Sequence, residues 1–174
     1  MAARKNLARR KAVELLAAAK VKFPPVPVEQ LANFAGAEVH YEPFSGELSG
    51  MVHRESKSRA VIGVNALHAP TRQRFTIAHE LAHLILHKDE EFHVDENSPM
   101  RFRSPLSSTA LDSDEIEANQ FAAELLMPVP LLHGEIGKIP PNTGTEEAIT
   151  RLAEVFDVSE QAMTFRLAGL GILR

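Results

Sequence analysis

The stretch FTIAHELAHLILH, residues 75–87, constrains this chain more than any other. It holds no Pro or Gly and runs from the turn-like HAPT to the charged KDEE, so nothing interrupts a helix. At about 100° per residue, Phe75, Ala78, Leu81, Ala82, Ile85 and Leu86 form one broad apolar face, which Ile77 and Leu84 widen. Such a helix must be largely buried. Yet it also carries His79, Glu80, His83 and His87, and buried polar groups cost free energy unless they find partners.

His79 and His83 stand one turn apart on the remaining face, with Glu80 beside them. Two imidazoles at i and i+4 can converge on one ion, and Zn²⁺ accepts imidazole nitrogen readily. The pattern therefore reads as a metal clamp with a carboxylate in place to act as base toward an attacking water. The competing explanation is a chance match among ordinary helix histidines, and the buried, Leu-rich setting argues against it.

A catalytic zinc usually takes three protein ligands and keeps one position open. A third His in the metzincin arrangement needs glycine at position 86 and histidine at position 89, where this chain has Leu86 and Asp89. The inverted pattern HxxEH is also absent. The remaining source is a second helix, and DEIEANQFAAELL offers Glu115 and Glu117. Both flank the apolar stripe Ala118, Phe121, Ala122 and Leu125. Glu115 borders the small Ala118 and Ala122, where two helices can approach closely, whereas Glu117 borders bulky Phe121. Glu115 is the expected ligand and Glu117 is expected to be dispensable. Glu115 also fits an N-terminal capping box with Asp112, which is its alternative role.

Asn119 lies one turn after Glu115. It either accepts the second N–H of a ligand histidine or is a surface Asn. His87 continues the i, i+4 series a turn beyond the pair, so it is expected to support the ligands or to play a structural role. His40, His53, His68, His93 and His133 have no defining context, and the sequence does not choose among them as oxyanion partners.

With these residues assembled, the chain resembles the ImmA/IrrE family of metallopeptidases. The likeness covers about residues 26–132 and rests on SGMVHRESKSRAVIGVN, RQRFTIAHELAHLILH and EIEANQFAAELLMP. The resemblance implies a gluzincin-like Zn²⁺ site with His79, His83 and Glu115 as ligands and Glu80 as general base. It also implies regulated cleavage of a transcriptional repressor, of the helix-turn-helix kind, in bacteria or their mobile elements. Asn119 departs from the wider gluzincin pattern, in which Asp is common there. That departure weakens a carboxylate–histidine pairing without touching the ligands.

The rest of the chain sets the frame. Its 174 residues are 44% hydrophobic and 24% charged, a globular composition. A chain of this size buries about 70% of its unfolded surface and needs no disulfide staple. With no Cys, a thiolate nucleophile and a Cys-based zinc site are excluded, and a reducing compartment fits. No apolar run approaches the ~20 residues needed to span a bilayer. MAARKNLARRKAVELLAAAK imitates a signal peptide, but its apolar part is short and interrupted by Glu14, so it reads as an amphipathic helix of a cytoplasmic protein. Arg4, Lys5, Arg9, Arg10, Lys11, Lys20 and Lys22 face only Glu14 there, although the whole chain carries −4. A solvated helix face is the expected explanation, and contact with nucleic acid or an acidic partner is the alternative.

A helix over 4–19 ends at KFPPVPVEQ, and a second runs from Val28 to Ala35 with Gly36 at its C-terminal end. AEVHYEPF, LSGMVH and RAVIGVN carry strand signals, and the strand at about Arg59–Asn65 is expected to pair with an extended substrate. Residues 88–112 read as a polar, turn-rich loop, followed by a helix that ends at PVP. Two short helices close the chain at about Glu146–Phe156 and Glu160–Gly169, with Ser159 as N-cap of the latter.

The expected fold is α+β: a small antiparallel or mixed sheet packed on the active helix and a second ligand helix, with a helix-turn-helix-like C-terminal pair. Residues 1–139 are expected to form the zincin-like metallopeptidase domain and 140–174 a small helical extension. In that pair Glu146, Glu147, Glu154, Asp157 and Glu160 outnumber Arg151, Arg166 and Arg174, so direct nucleic-acid binding is not expected. The leading reading is a zinc endopeptidase. Its main rival is a metal-binding regulator that binds a repressor without cutting it, and the weakest reading is a DNA-binding regulator. Glu80 favours the enzyme, because a purely structural site has no need of a base.

Overall fold

Proline and glycine divide the first third of the chain. The computed structural model describes residues 4–45, 48–56, 58–87, 92–95 and 110–173. Helix α1 (Lys5–Ala18) and helix α2 (Val28–Phe34) are separated by the Pro-rich segment. Gly36 follows α2 with φ +86°, and a Cβ there would lie 2.7 Å from the carbonyl oxygen of Ser58. Both the backbone conformation and the close approach call for glycine. Strands β1 (Ala37–Glu42), β2 (Gly50–Ser56) and β3 (Arg59–Asn65) come next, and then the long helix α3 (Pro70–Leu86). Pro70 opens α3 at a position where a missing N–H costs nothing.

After α3 come β4 (Phe92–Asp95), α4 (Ala110–Leu126), α5 (Val129–Ile136), α6 (Thr145–Phe156) and α7 (Glu160–Gly169). Asp157 ends α6 in the left-handed region, and Ser159 Oγ accepts the N–H of Ala162 at 3.1 Å to cap α7. The α+β expectation holds. No helix among the described residues is long and apolar enough to cross a membrane.

The four strands lie in the order β1-β3-β2-β4. β1 runs parallel to β3, with Val39 opposite Ile62, while β2 runs antiparallel to β3 and to β4. The sheet is therefore mixed. β3 is paired along both sides, which corrects the expectation that it receives a substrate strand. Its Ala60, Ile62, Val64 and Asn65 are buried, as a central strand requires. Among the described residues, the free edges of the sheet belong to β1 and β4.

The reading of 88–112 as a loop needs the same kind of correction. Phe92–Asp95 is a strand, placed by pairing Gly50 with Asp95 and His53 with Phe92, and α4 already begins at Ala110. Residues 88–91 and 96–109 lie outside the described residues. PVP, which by its prolines reads only as a terminator, also starts a helix. Pro128 is the N-cap of α5, with Pro130 in the first turn, where proline is tolerated.

The core joins α3 and α4 under the sheet. Ile77, Ala78, Leu81 and Ala82 of α3 meet Ala118, Phe121, Ala122 and Leu125 of α4 in one cluster, with Ala8 and Ala12 of α1 on its flank. Each fully buried Leu, Ile or Phe contributes roughly 1.5–3 kcal/mol. Polar clips set the position of α3. Arg74 donates to Val26 O at 2.8 Å and Asp157 O at 3.0 Å, and Arg54 of β2 donates to Leu84 O at 3.1 Å.

Candidate metal centre

α3 presents its histidines toward α4. His79 is fully buried and His83 nearly so, because the helix is enclosed by β2, β3 and α4. Nε2 of His79 lies 3.2 Å from Nε2 of His83. Glu115 of α4 completes a triangle, with Oε2 3.2 Å from His79 Nε2 and Oε1 3.3 Å from His83 Nε2. Its side chain is 39% exposed, so this corner of the triangle faces solvent.

The donor set fits a zinc-like cation. Tetrahedral ligands at zinc's ordinary bond lengths of about 2.0–2.2 Å stand about 3.3–3.6 Å apart, and the observed triangle comes close to the short end of that spacing. Two imidazole nitrogens and one carboxylate are also a known catalytic zinc set. His79, His83 and Glu115 are the residues that would hold the ion.

The outer contacts differ for the two imidazoles. Nδ1 of His79 faces Asn119 Oδ1 at 3.2 Å. Nδ1 of His83 faces His87 Nδ1 at 3.0 Å, and His87 Nε2 in turn faces Glu117 Oε2 at 3.3 Å and Asp114 Oδ1 at 3.5 Å. Glu117, expected to be dispensable because it borders bulky Phe121, is buried. It accepts from Arg4 three times: from the backbone N–H at 2.6 Å and Nε at 3.0 Å on Oε1, and from Nη2 at 3.0 Å on Oε2. Burial pushes the Glu117 carboxyl up, but the Arg4 donors and His87 hold it below the usual carboxylate value. The same pairing raises the Arg4 guanidinium.

Glu80 follows His79 and is fully buried beneath β2. Gly50 makes this packing possible. A Cβ at Gly50 would lie 2.3 Å from Thr76 Cγ2, 3.0 Å from Gly63 O and 3.4 Å from Glu80 Cγ. Arg72 Nη2 donates to Ser49 Oγ at 2.8 Å, fixing the start of β2 over the helix.

Among the described residues, no histidine outside α3 and its C-cap joins a three-ligand cluster. His40, His53 and His133 are exposed on β1, β2 and α5, and His68 is half-buried near Asn65. The side chains of His93 and Asp112 lie outside the described residues. Sequence reasoning missed Arg4, Asp114, Glu117 and Gly50. Only Gly50 left a signal, since a glycine inside a strand often marks a close approach.

The chain is similar to several known proteins. A peptidase M78 family model, described as the IrrE N-terminal-like domain, matches residues 32–168. A radiation response metalloprotease IrrE of Deinococcus deserti is 28% identical over 171 residues, covering 88% of this chain and 54% of that protein. Its counterpart in Deinococcus radiodurans is 27% identical over 174 residues, covering 90% of this chain and 48% of that protein. The chain spans about half the length of these curated relatives. A solved Mycobacterium tuberculosis transcriptional regulator shares the fold, with a TM-score of 0.63 at 17% identity over 95% of this chain and 48% of that one. A family match over that much of the sequence, together with the HExxH helix that the resemblance rests on, leads to one assignment: the chain belongs to peptidase family M78, the IrrE N-terminal-like metallopeptidases.

Proposed function

We propose that this chain is a zinc-dependent endopeptidase of the cytoplasm that cuts a helix-turn-helix transcriptional repressor at a specific site. The observation that carries this reading is the triangle of His79, His83 and Glu115, 3.2–3.3 Å on a side, with Glu80 buried next to it. Zn²⁺, when bound, supplies a Lewis acid that lowers the pKa of water toward about 7 and polarises the scissile carbonyl. Glu80 accepts the proton of the attacking water as general base and returns it to the leaving amine. The substrate adds in extended form to a sheet edge that is free among the described residues. The edge we assign is β4, the strand next to β2, whose Gly50 comes close enough to the helix that a Cβ there would lie 3.4 Å from Glu80 Cγ.

A repressor is the proposed substrate because the ImmA/IrrE resemblance implies regulated cleavage of one. DNA is not the partner we propose. Arg166, one of few cations in the α6–α7 pair, is buried against Glu124 at 2.6 Å and does not reach phosphate.

The test replaces Glu80 with Gln, which keeps size and hydrogen bonding but removes the base. Repressor cleavage should fall by about 10²–10⁴-fold, while metal content and repressor binding persist. Derepression in cells is measured beside cleavage. Full derepression by Glu80→Gln with the repressor intact would end the peptidase reading in favour of a regulator that only binds.

A further inference from the structure

We propose that Glu117 and Arg4 are positioning residues for the metal ligand His83, acting on it through His87. The proposal rests on the metal-centre reading above. Its basis is a chain of hydrogen-bonding groups in which one assignment of protons satisfies every link. His83 turns Nε2 toward His79 Nε2 and Glu115, so a metal on that nitrogen leaves the imidazole proton on Nδ1. Nδ1–H then donates across 3.0 Å to Nδ1 of His87, which must be an acceptor. The His87 proton therefore sits on Nε2 and donates to Glu117 Oε2 across 3.3 Å, with Asp114 Oδ1 at 3.5 Å as a weaker second acceptor. Glu117 has only acceptors to offer, and Arg4 holds its far side through the backbone N–H, Nε and Nη2.

Burial gives this chain its effect. His83, His87 and Glu117 are 2%, 7% and 1% exposed, so water competes little with the links and each fixes the next. Outer partners of ligand histidines set ring orientation and basicity, and they typically account for about 10–100-fold in metal affinity. The acceptor of His79 is Asn119, whereas the acceptor of His83 is His87, which is held in turn by Glu117 and through it by Arg4 on the N-terminal segment. Arg4 and Glu117 are 113 residues apart in sequence. His87, Asp114 and Glu117 also have the spacing of a three-ligand metal cluster. The Arg4 guanidinium supplies the positive charge at that cluster, which makes it an anchor for His83 rather than a second ion site.

The experiment compares the full chain with Glu117→Leu, Glu117→Gln, Arg4→Ala and His83→Ala, with Arg10→Ala as a control for lost surface charge. Three quantities are read: zinc affinity by chelator competition, the absorption spectrum of the cobalt-substituted protein, and the melting temperature of the metal-free protein. Glu117→Leu should weaken zinc by about 10–100-fold and shift the cobalt bands. Glu117→Gln, which keeps an acceptor for His87, should recover part of that loss. Arg4→Ala should act in the same direction by a smaller factor, and Arg10→Ala should match wild type. If the Glu117 and Arg4 variants lower only the metal-free melting temperature and leave affinity and cobalt bands unchanged, the residues are structural and the proposal is overturned. Should Glu117→Leu fail to fold, unchanged affinity in Glu117→Gln and Arg4→Ala decides against it equally. Undiminished zinc binding by His83→Ala would instead overturn the metal-centre reading beneath it.

Discussion

The amide oxygen of Asn119 stands 3.2 Å from Nδ1 of His79, one turn along α4 from Glu115. The helix that brings a carboxylate to the imidazole cluster thus also brings an acceptor for the second N–H of His79. Asn119→Ala should weaken zinc binding by about 10–100-fold. Asn119→Asp should match or exceed wild type, because a carboxylate raises imidazole basicity further. Calorimetric titration of zinc into the metal-free proteins checks both, and equal affinity in all three would mark the contact as incidental.

Purified protein should carry close to one zinc per chain. His79→Ala and His83→Ala should each abolish that occupancy, and Glu115→Ala should lose most of it, since two imidazoles alone hold zinc poorly. Elemental analysis of the dialysed proteins measures this directly. Unchanged zinc in a His79/His83 double variant would sink the assignment.

Gly50 fixes the distance between β2 and the active helix. The Cβ of Gly50→Ala would meet Thr76 Cγ2 at 2.3 Å, and overpacking of this kind costs about 1–3 kcal/mol. Adding Thr76→Ser removes the obstructing methyl and should restore part of the loss. Urea unfolding of the single and double variants reads the coupling, and strict additivity would show that the two residues do not press on each other.

Arg166 and Glu124 form a buried ion pair at 2.6 Å, and Arg166 Nε also donates to Met127 O at 3.0 Å. Removing one partner leaves a charge without compensation. Glu124→Ala should therefore cost about 3–5 kcal/mol, while Glu124→Leu with Arg166→Met should recover much of it. Denaturant midpoints decide between these outcomes. A cost below about 1 kcal/mol for Glu124→Ala would mean that water reaches the pair.

Much of the molecule follows from local rules. The 3.6-residue period makes 75–87 a buried helix and sets His79 and His83 on one face whatever surrounds them. Side chains one turn apart converge by backbone geometry alone. The motif blocks likewise carry the family, because they combine that helix with a second of fixed pattern. The strand signals at Ala37, Gly50 and Arg59 and the helix boundary at Phe156 are local in the same sense, since each depends on nearby turn or cap residues.

What the tertiary structure decided is which distant groups meet. Glu115 and Glu117 sit two residues apart on one helix, and a helical wheel separates them weakly. The packing of α4 between α3 and α1 sends Glu115 to His79 and His83 and sends Glu117 to His87 and Arg4. No local signal marks Arg4, because its partner lies 113 residues away and its neighbours are equally basic. The place of β3 inside the sheet and the pairing of β4 with β2 are also non-local, since a strand's own pattern does not say which edges will be covered. Helical periodicity placed the two histidines, and long-range packing supplied the carboxylate beside them and the groups that hold their rings.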